Sequence, residues 1–205
     1  MSWVGLDRKV NIKVLGGYSS SAKGTDLSKK GGETIVDSKD ITKSTKRPFY
    51  LKDNINILFQ DITFKSGQGD GEHGAATFFI LPASNNTPSV LTCNNCKFID
   101  NTSDSRGVIY QYGAGNVNLN DCEFVGNKAK GYGASVAMLT ANGVLSANRC
   151  KFSGNGLENS SDNSCFGGAL FVEGTARLKD CEFEANYIKN SAVNKAADAE
   201  AGTEG

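Results

Sequence analysis

Apolar and polar residues alternate along this chain in short runs. Val10-Asn11-Ile12-Lys13-Val14 changes character at every step, as a strand with one buried face does. Thr34-Ile35-Val36 and Ile55-Asn56-Ile57-Leu58-Phe59 read as further strands. Helical spacing of apolar residues is nearly absent. Only Ala192 to Ala201 is rich in helix formers, and it has no apolar face. The pattern predicts many short strands joined by tight corners, and no helical layer.

A repeat gives those strands an order. Asn95-Cys96-Lys97-Phe98-Ile99-Asp100-Asn101 returns as Asp121-Cys122-Glu123-Phe124-Val125-Gly126-Asn127. It returns again as Arg149-Cys150-Lys151-Phe152-Ser153-Gly154-Asn155 and as Asp180-Cys181-Glu182-Phe183-Glu184-Ala185-Asn186, with a degenerate copy at Asp61-Ile62-Thr63-Phe64-Lys65-Ser66-Gly67. The phenylalanines Phe64, Phe98, Phe124, Phe152 and Phe183 are therefore 34, 26, 28 and 31 residues apart. About ten residues after each of the first three, and sixteen after the fourth, comes a small-residue strand: Gly74-Ala75-Ala76-Thr77-Phe78-Phe79, Gly107-Val108-Ile109-Tyr110, Gly133-Ala134-Ser135-Val136 and Gly168-Ala169-Leu170-Phe171. The unit reads as a strand opening on Gly, a turn, and a strand ending in Cys-x-Phe. Insertions such as Pro82 to Pro88 and Leu157 to Cys165 fall in its corners.

Such a unit buries almost nothing alone, because Cys and Phe two residues apart share one face of a single strand. Stacked on its own kind, it builds ladders of like side chains. The residues between Cys and Phe, Lys97, Glu123, Lys151 and Glu182, alternate in charge, so stacking in sequence order sets opposite charges side by side. Parallel strands in successive coils with no crossover helix predict an all-β fold: a single-stranded, right-handed parallel β-helix of six or seven coils. Residues 1–190 are expected to form it, with irregular first coils and long corners over 1–60 and regular coils over 61–190. Residues 191–205 are expected to be a flexible or weakly helical tail.

Composition supports this picture and narrows the chemistry. The chain has 205 residues, 24 of them Gly and 20 Asn, two types that tolerate tight turns and positive φ. Its 22 basic and 22 acidic residues cancel, which argues against a nucleic-acid partner. No apolar run is long enough for a transmembrane helix. Residues 1–9 lack the basic-then-apolar layout of a secretory leader.

Cys96, Cys122, Cys150 and Cys181 hold one repeat position and read as a ladder of reduced thiols in the core, with Cys93 and Cys165 off it. Asn101, Asn127, Asn155 and Asn186 follow each Phe by three. They read as a side-chain ladder that holds its corner in the left-handed region. Sequons at Asn85, Asn101 and Asn159 are what so Asn-rich a chain produces by chance. No metal or cofactor is expected: Cys93-x-x-Cys96 is a lone CxxC, and the only histidine, His73, sits with Asp70 and Glu72 in a polar corner. The corners stack mixed charges on one edge, adding Asp104, Arg106, Lys128, Lys130, Glu158 and Asp162, without the clustered carboxylates of a polysaccharide lyase. Lysines crowd the N-terminal region, where they read as solvated corners. Both parities of the small-residue strands carry apolar side chains. Phe78, Ile109, Gln111, Leu170 and Val172 are the candidate outward strip, which is either a contact face for a partner or glycan or is covered by a long corner such as Ser19 to Lys30.

The Phe-x-x-Asn copies, with Gly167-Gly168-Ala169-Leu170, resemble the polymorphic outer membrane protein repeat, whose paired FxxN and GGA(I/L/V) motifs occur in bacterial surface proteins. Leu15-Gly16-Gly17-Tyr18 and the segment after it look like the start of right-handed β-helix surface proteins. The resemblance covers about residues 10 to 190 in pattern, and only one GGA motif is complete. It implies a secreted or outer-membrane-exposed module, flanked by further domains, that displays corners to a host-surface protein or glycan. A polysaccharide lyase or hydrolase, on fold analogy alone, and a ligand-free spacer are the alternatives.

Overall fold

A computed structural model describes residues 10–18, 30–39, 49–52, 54–69, 71, 74–81, 88–159 and 165–190. The helix-forming stretch 192–201, the tail, and the corner residues Asp70, Glu72, His73 and Asp162 lie outside these. Every strand pairing among the described residues is parallel, and strands occur as four sheets wrapped around one core. The long sheet stacks Val10–Leu15, Ile55–Gln60, Ser89–Asn94, Gly115–Asn120, Gly143–Asn148 and Thr175–Lys179. The phenylalanine sheet stacks Ile35–Asp37, Thr63–Lys65, Lys97–Ile99, Glu123–Val125, Lys151–Ser153 and Glu182–Glu184. A short sheet follows, of Gln68–Gly69, Thr102–Ser103, Lys128–Ala129, Gly156–Asn159 and Tyr187–Asn190. The aromatic sheet closes each turn with Phe49–Leu51, Phe78–Ile80, Ile109–Gln111, Val136–Met138 and Leu170–Val172. The chain visits long, phenylalanine, short and aromatic sheets in that order, giving a β-solenoid of four complete turns with a partial turn at each end. Six or seven coils were expected; the first partial turn shows no short-sheet strand, and the last no aromatic-sheet strand, among the described residues.

Each complete coil has four strands rather than the two expected, because single left-handed residues break it twice. The first break precedes the Cys position, at Asp61, Asn95, Asp121, Arg149 and Asp180, with φ between 49° and 57°. The second follows the Phe strand, at Ser66, Asp100, Gly126, Gly154 and Ala185, with φ between 51° and 64°. Asn, Asp and Gly pay least for that conformation, which explains their place in the repeat. The repeat-position asparagines Asn101, Asn127, Asn155 and Asn186 are not themselves the left-handed residues; each follows one and turns its side chain inward.

Register is maintained rung to rung. The rings of Phe64, Phe98, Phe124, Phe152 and Phe183 stack in one column, with centroids 5.2, 4.5, 5.0 and 4.8 Å apart and planes within 15° of parallel. Those intervals match the ~4.8 Å spacing of hydrogen-bonded strands. From the long sheet, Ile57, Leu91, Val117 and Leu145 stack in line, as do Phe59, Cys93, Leu119 and Ala147. Side chains from the long, phenylalanine and aromatic sheets meet in one apolar core. All six cysteines are free thiols. The Sγ atoms of Cys96, Cys122, Cys150 and Cys181 donate to carbonyls of the coil below, Phe59, Cys93, Leu119 and Ala147, at 3.3–3.6 Å. Cys93 is a rung of the long-sheet column, where burial raises its thiol well above the ordinary value.

The asparagine column is a continuous hydrogen-bond chain. Asn127 Oδ1 accepts from both the main-chain N–H and Nδ2 of Asn101, at 3.0 and 2.9 Å. Its own Nδ2 donates to Phe98 O and to Asn155 Oδ1, both at 2.9 Å. Asn155 and Asn186 continue the pattern one and two rungs higher. A buried amide with all four bonds made is a net contributor rather than a cost. Asn101 is fully buried, so its sequon is sealed inside the folded coil. The sequon at Asn85 lies outside the described residues.

Candidate interaction surface

Three outer surfaces bear on what the solenoid can do: the ion-paired faces, the charged groove beside the short sheet, and the outer face of the aromatic sheet.

Ion pairs on the outside run between coils. Lys97 reaches Glu123 at 3.3 Å, and Lys151 reaches Glu182 and Glu184 at 3.7 and 3.1 Å. In the left-handed column Arg149 grips Asp121 through two bonds, 2.6 and 2.8 Å long, and holds that carboxyl below the usual range. Asp61 accepts from Asn95 at 2.8 Å and from Lys30 at 3.3 Å, and it too is lowered, chiefly by Asn95.

The groove beside the short sheet is lined in part by Thr102, Asp104, Lys128, Lys130 and Glu158. Lys130 pairs with Asp104 at 2.6 Å, and Lys128 with Glu158 at 3.0 Å. Tyr187 lies over Gly156, where an added Cβ would collide with its ring, and its hydroxyl donates to Glu158 at 2.6 Å. That bond first, and Lys128 second, lower Glu158, which makes it a weak base. Among the described residues no group of three or more His, Cys, Asp or Glu is arranged to hold a metal ion.

The aromatic sheet corrects the expected strip. Phe78, Ile109 and Gln111 are fully buried, and Leu170 and Val172 pack partly buried against the core. The reason is parity. In the third turn Val136 and Met138 are large and face in, while Ala137 between them faces out. In-register pairing then sends Tyr50, Phe79, Tyr110 and Phe171 to the outer face. The Gln111 amide donates to Gly113 O at 2.9 Å instead of reaching solvent.

That outer face divides into two aromatic groups around Ala137. Tyr50, Phe79 and Tyr110 pack in a row, with centroids 5.4 and 5.0 Å apart, and Phe79 and Tyr110 are buried. Tyr132, Phe166 and Phe171 form the second group, each ring touching the other two at 4.9–5.9 Å. Here Phe166 is 49% exposed, although it belongs to a three-ring cluster. The Arg106 guanidinium lies 5.6 Å from the Tyr132 ring and 5.2 Å from the Tyr110 ring, joining the two groups. Phe166 and Tyr132 come from the corner before the Gly-Ala strand, where isolated bridges set Arg106, Tyr132 and Phe166 in one column. Sequence reasoning missed this cluster because it assigned the opposite parity to the strand and treated the corner only as charged. The small Ala137 between Val136 and Met138 was the available signal.

No protein-family model, no curated protein and no solved structure matches this chain.

Proposed function

We propose that this chain is a rigid display module: a right-handed parallel β-helix of the polymorphic outer membrane protein repeat type, six coils when the partial turns are counted, exposed on a bacterial surface or secreted. Its contact site is the aromatic cluster of Tyr132, Phe166 and Phe171, and its ligand class is a glycan or a glycan-bearing host-surface protein. The observation that carries this reading is the half-exposed Phe166 ring, held in a three-ring cluster on a rigid sheet. Preorganised aromatic rings with an arginine beside them offer flat apolar area to sugar C–H faces at low entropic cost. The neutral overall charge fits a ligand recognised by shape and stacking rather than by bulk electrostatic attraction.

Glycan-array and host-cell binding by the full chain tests the proposal. Phe166→Ala removes an exposed ring at small cost to the fold. It is expected to lower binding at least ~10-fold, the scale of a contact hot spot. Unchanged binding by Phe166→Ala, or no binding by the unaltered chain, would overturn the assignment.

A further inference from the structure

We propose that the end face formed by the last described coil is a docking surface for one further parallel β-coil of the same repeat chemistry, with basic residues at its left-handed corner and beside its phenylalanine. This stands apart from the glycan reading, which uses a different face.

Three observations converge on that coil. The first is apolar. Leu178, Phe183 and Ile188 are 45–49% exposed, whereas the equivalent Phe124 and Phe152 are fully buried by the coil above each. The second is polar. The main-chain N–H of Asn101, Asn127 and Asn155 each bonds to the Oδ1 of the asparagine one rung higher. Among the described residues nothing accepts from the Asn186 N–H, and another inward asparagine would do so. The outward edges of Thr175–Lys179, Glu182–Glu184 and Tyr187–Asn190 likewise have no strand above them among the described residues.

The third observation is charge, and it chooses the occupant. The end rung presents Asp180, Glu182 and Glu184 along one side, Lys189 on another, and Arg177 and Lys179 on the long sheet, where the rung below sets the neutral Ser146 and Asn148. Below it, the pairing rule is opposite charges on adjacent rungs, as in Asp121 with Arg149 and Lys151 with Glu182. The incoming coil therefore carries a base over Asp180, a base over Glu182 and an acid over Lys189. A second copy stacked head to tail does not fit. Its first coil would set Asp37 over Glu184 and Val36 over Phe183, with Lys39 at the asparagine position. Residues 191–205 of this chain contain no Phe, Leu, Ile or Cys, the apolar ladder residues of the repeat.

This chain holds a coil of the required kind and one of the opposite kind. Residues 143–159 place Arg149, Lys151 and Glu158 at the three charged positions; residues 115–131 place Asp121, Glu123 and Lys130 there. Both keep Cys, Phe and Asn at the ladder positions. The test titrates each as a synthetic peptide, under reducing conditions, into the isotope-labelled full chain and follows amide signals by NMR. The 143–159 peptide is expected to shift the amides of Phe183 and Asn186, with affinity about tenfold above that of the 115–131 peptide, as three reversed cross-strand charges predict. High salt is expected to narrow that gap, and the peptide variants F152A and N155A to lose binding. In the chain, Leu178→Glu is expected to abolish the shifts while leaving the signals of the lower coils unchanged. No shift with the 143–159 peptide, equal affinity of the two peptides, or binding indifferent to N155A would overturn the proposal. So would concentration-dependent self-association of the chain that moves the same amides, which would make a second copy the occupant.

Discussion

At Asn127 one amide closes four hydrogen bonds between three coils, and none of its partners can reach water. Asn127→Ala would strand the Asn101 main-chain N–H in the interior and take one bond each from the Phe98 carbonyl, Asn101 Nδ2 and Asn155 Oδ1. The expected loss is about 3 kcal/mol in chemical denaturation, from one buried donor left unpaired and three further buried bonds removed. The half-buried Asn116 on the outer side of the long sheet is the control, and its replacement by Ala should cost less than ~0.5 kcal/mol. Backbone conformation is a second residue-scale lever. Gly126 and Gly154 hold the same left-handed position, at φ 64° and 63°, but an added Cβ would lie 2.6 Å from Asp100 Oδ1 at Gly126 and would meet nothing at Gly154. Gly154→Asn should therefore be tolerated, whereas Gly126→Val should destabilise the fold by ~2 kcal/mol or more through backbone strain and crowding. Thermal melts of the two variants check this.

Ladders, not single strands, are the elements that fold here. A strand of three residues with one phenylalanine has no stability by itself, and its worth depends on having a rung on both sides. Phe124→Ala is expected to cost about 3–5 kcal/mol, the usual loss for a fully buried ring, and Phe183→Ala about 1 kcal/mol, because one face of Phe183 is open. Equal losses would contradict the column. The thiols report on the same element. Cys93, Cys96, Cys122 and Cys150 are buried, whereas Cys165 and Cys181 are partly open. A thiol-specific reagent should label two sites in the native protein and all six after unfolding. These ladders were legible in the sequence because Cys, Phe and Asn recur at fixed offsets within each coil. The parity of the aromatic sheet was harder to read, since Phe78 and Phe79, or Ile109 and Tyr110, are both large, and alternation alone cannot say which faces in. Neither could the second left-handed break be read, because Ser66, Asp100, Gly126, Gly154 and Ala185 share a conformation but no chemistry.

For the whole molecule, stability against pH follows from which groups the fold shifts. Burial raises the thiols of Cys93 and Cys181, so the folded state favours their neutral form. The stability they give is complete below the unfolded thiol value of ~8.5 and is lost as pH rises through the higher folded values. Asp61 and Glu158 are shifted down, by hydrogen bonds from Asn95 and Tyr187 first, so their contribution is present above ~4 and fades on acidification. Urea midpoints should peak between about pH 6 and 8 and fall toward both pH 3 and pH 10. A midpoint that climbs steadily to pH 10 would contradict the buried thiols. The course of the chain from rung to rung is the claim on which the rest depends, and ring-to-ring nuclear Overhauser contacts test it most directly. The ring protons of Phe124 should show contacts to those of both Phe98 and Phe152 and none to Phe64. Phenylalanines found in separate clusters, or strong Hα–Hα contacts between the phenylalanine strands of the kind that antiparallel pairs produce, would contradict the stacked parallel coil.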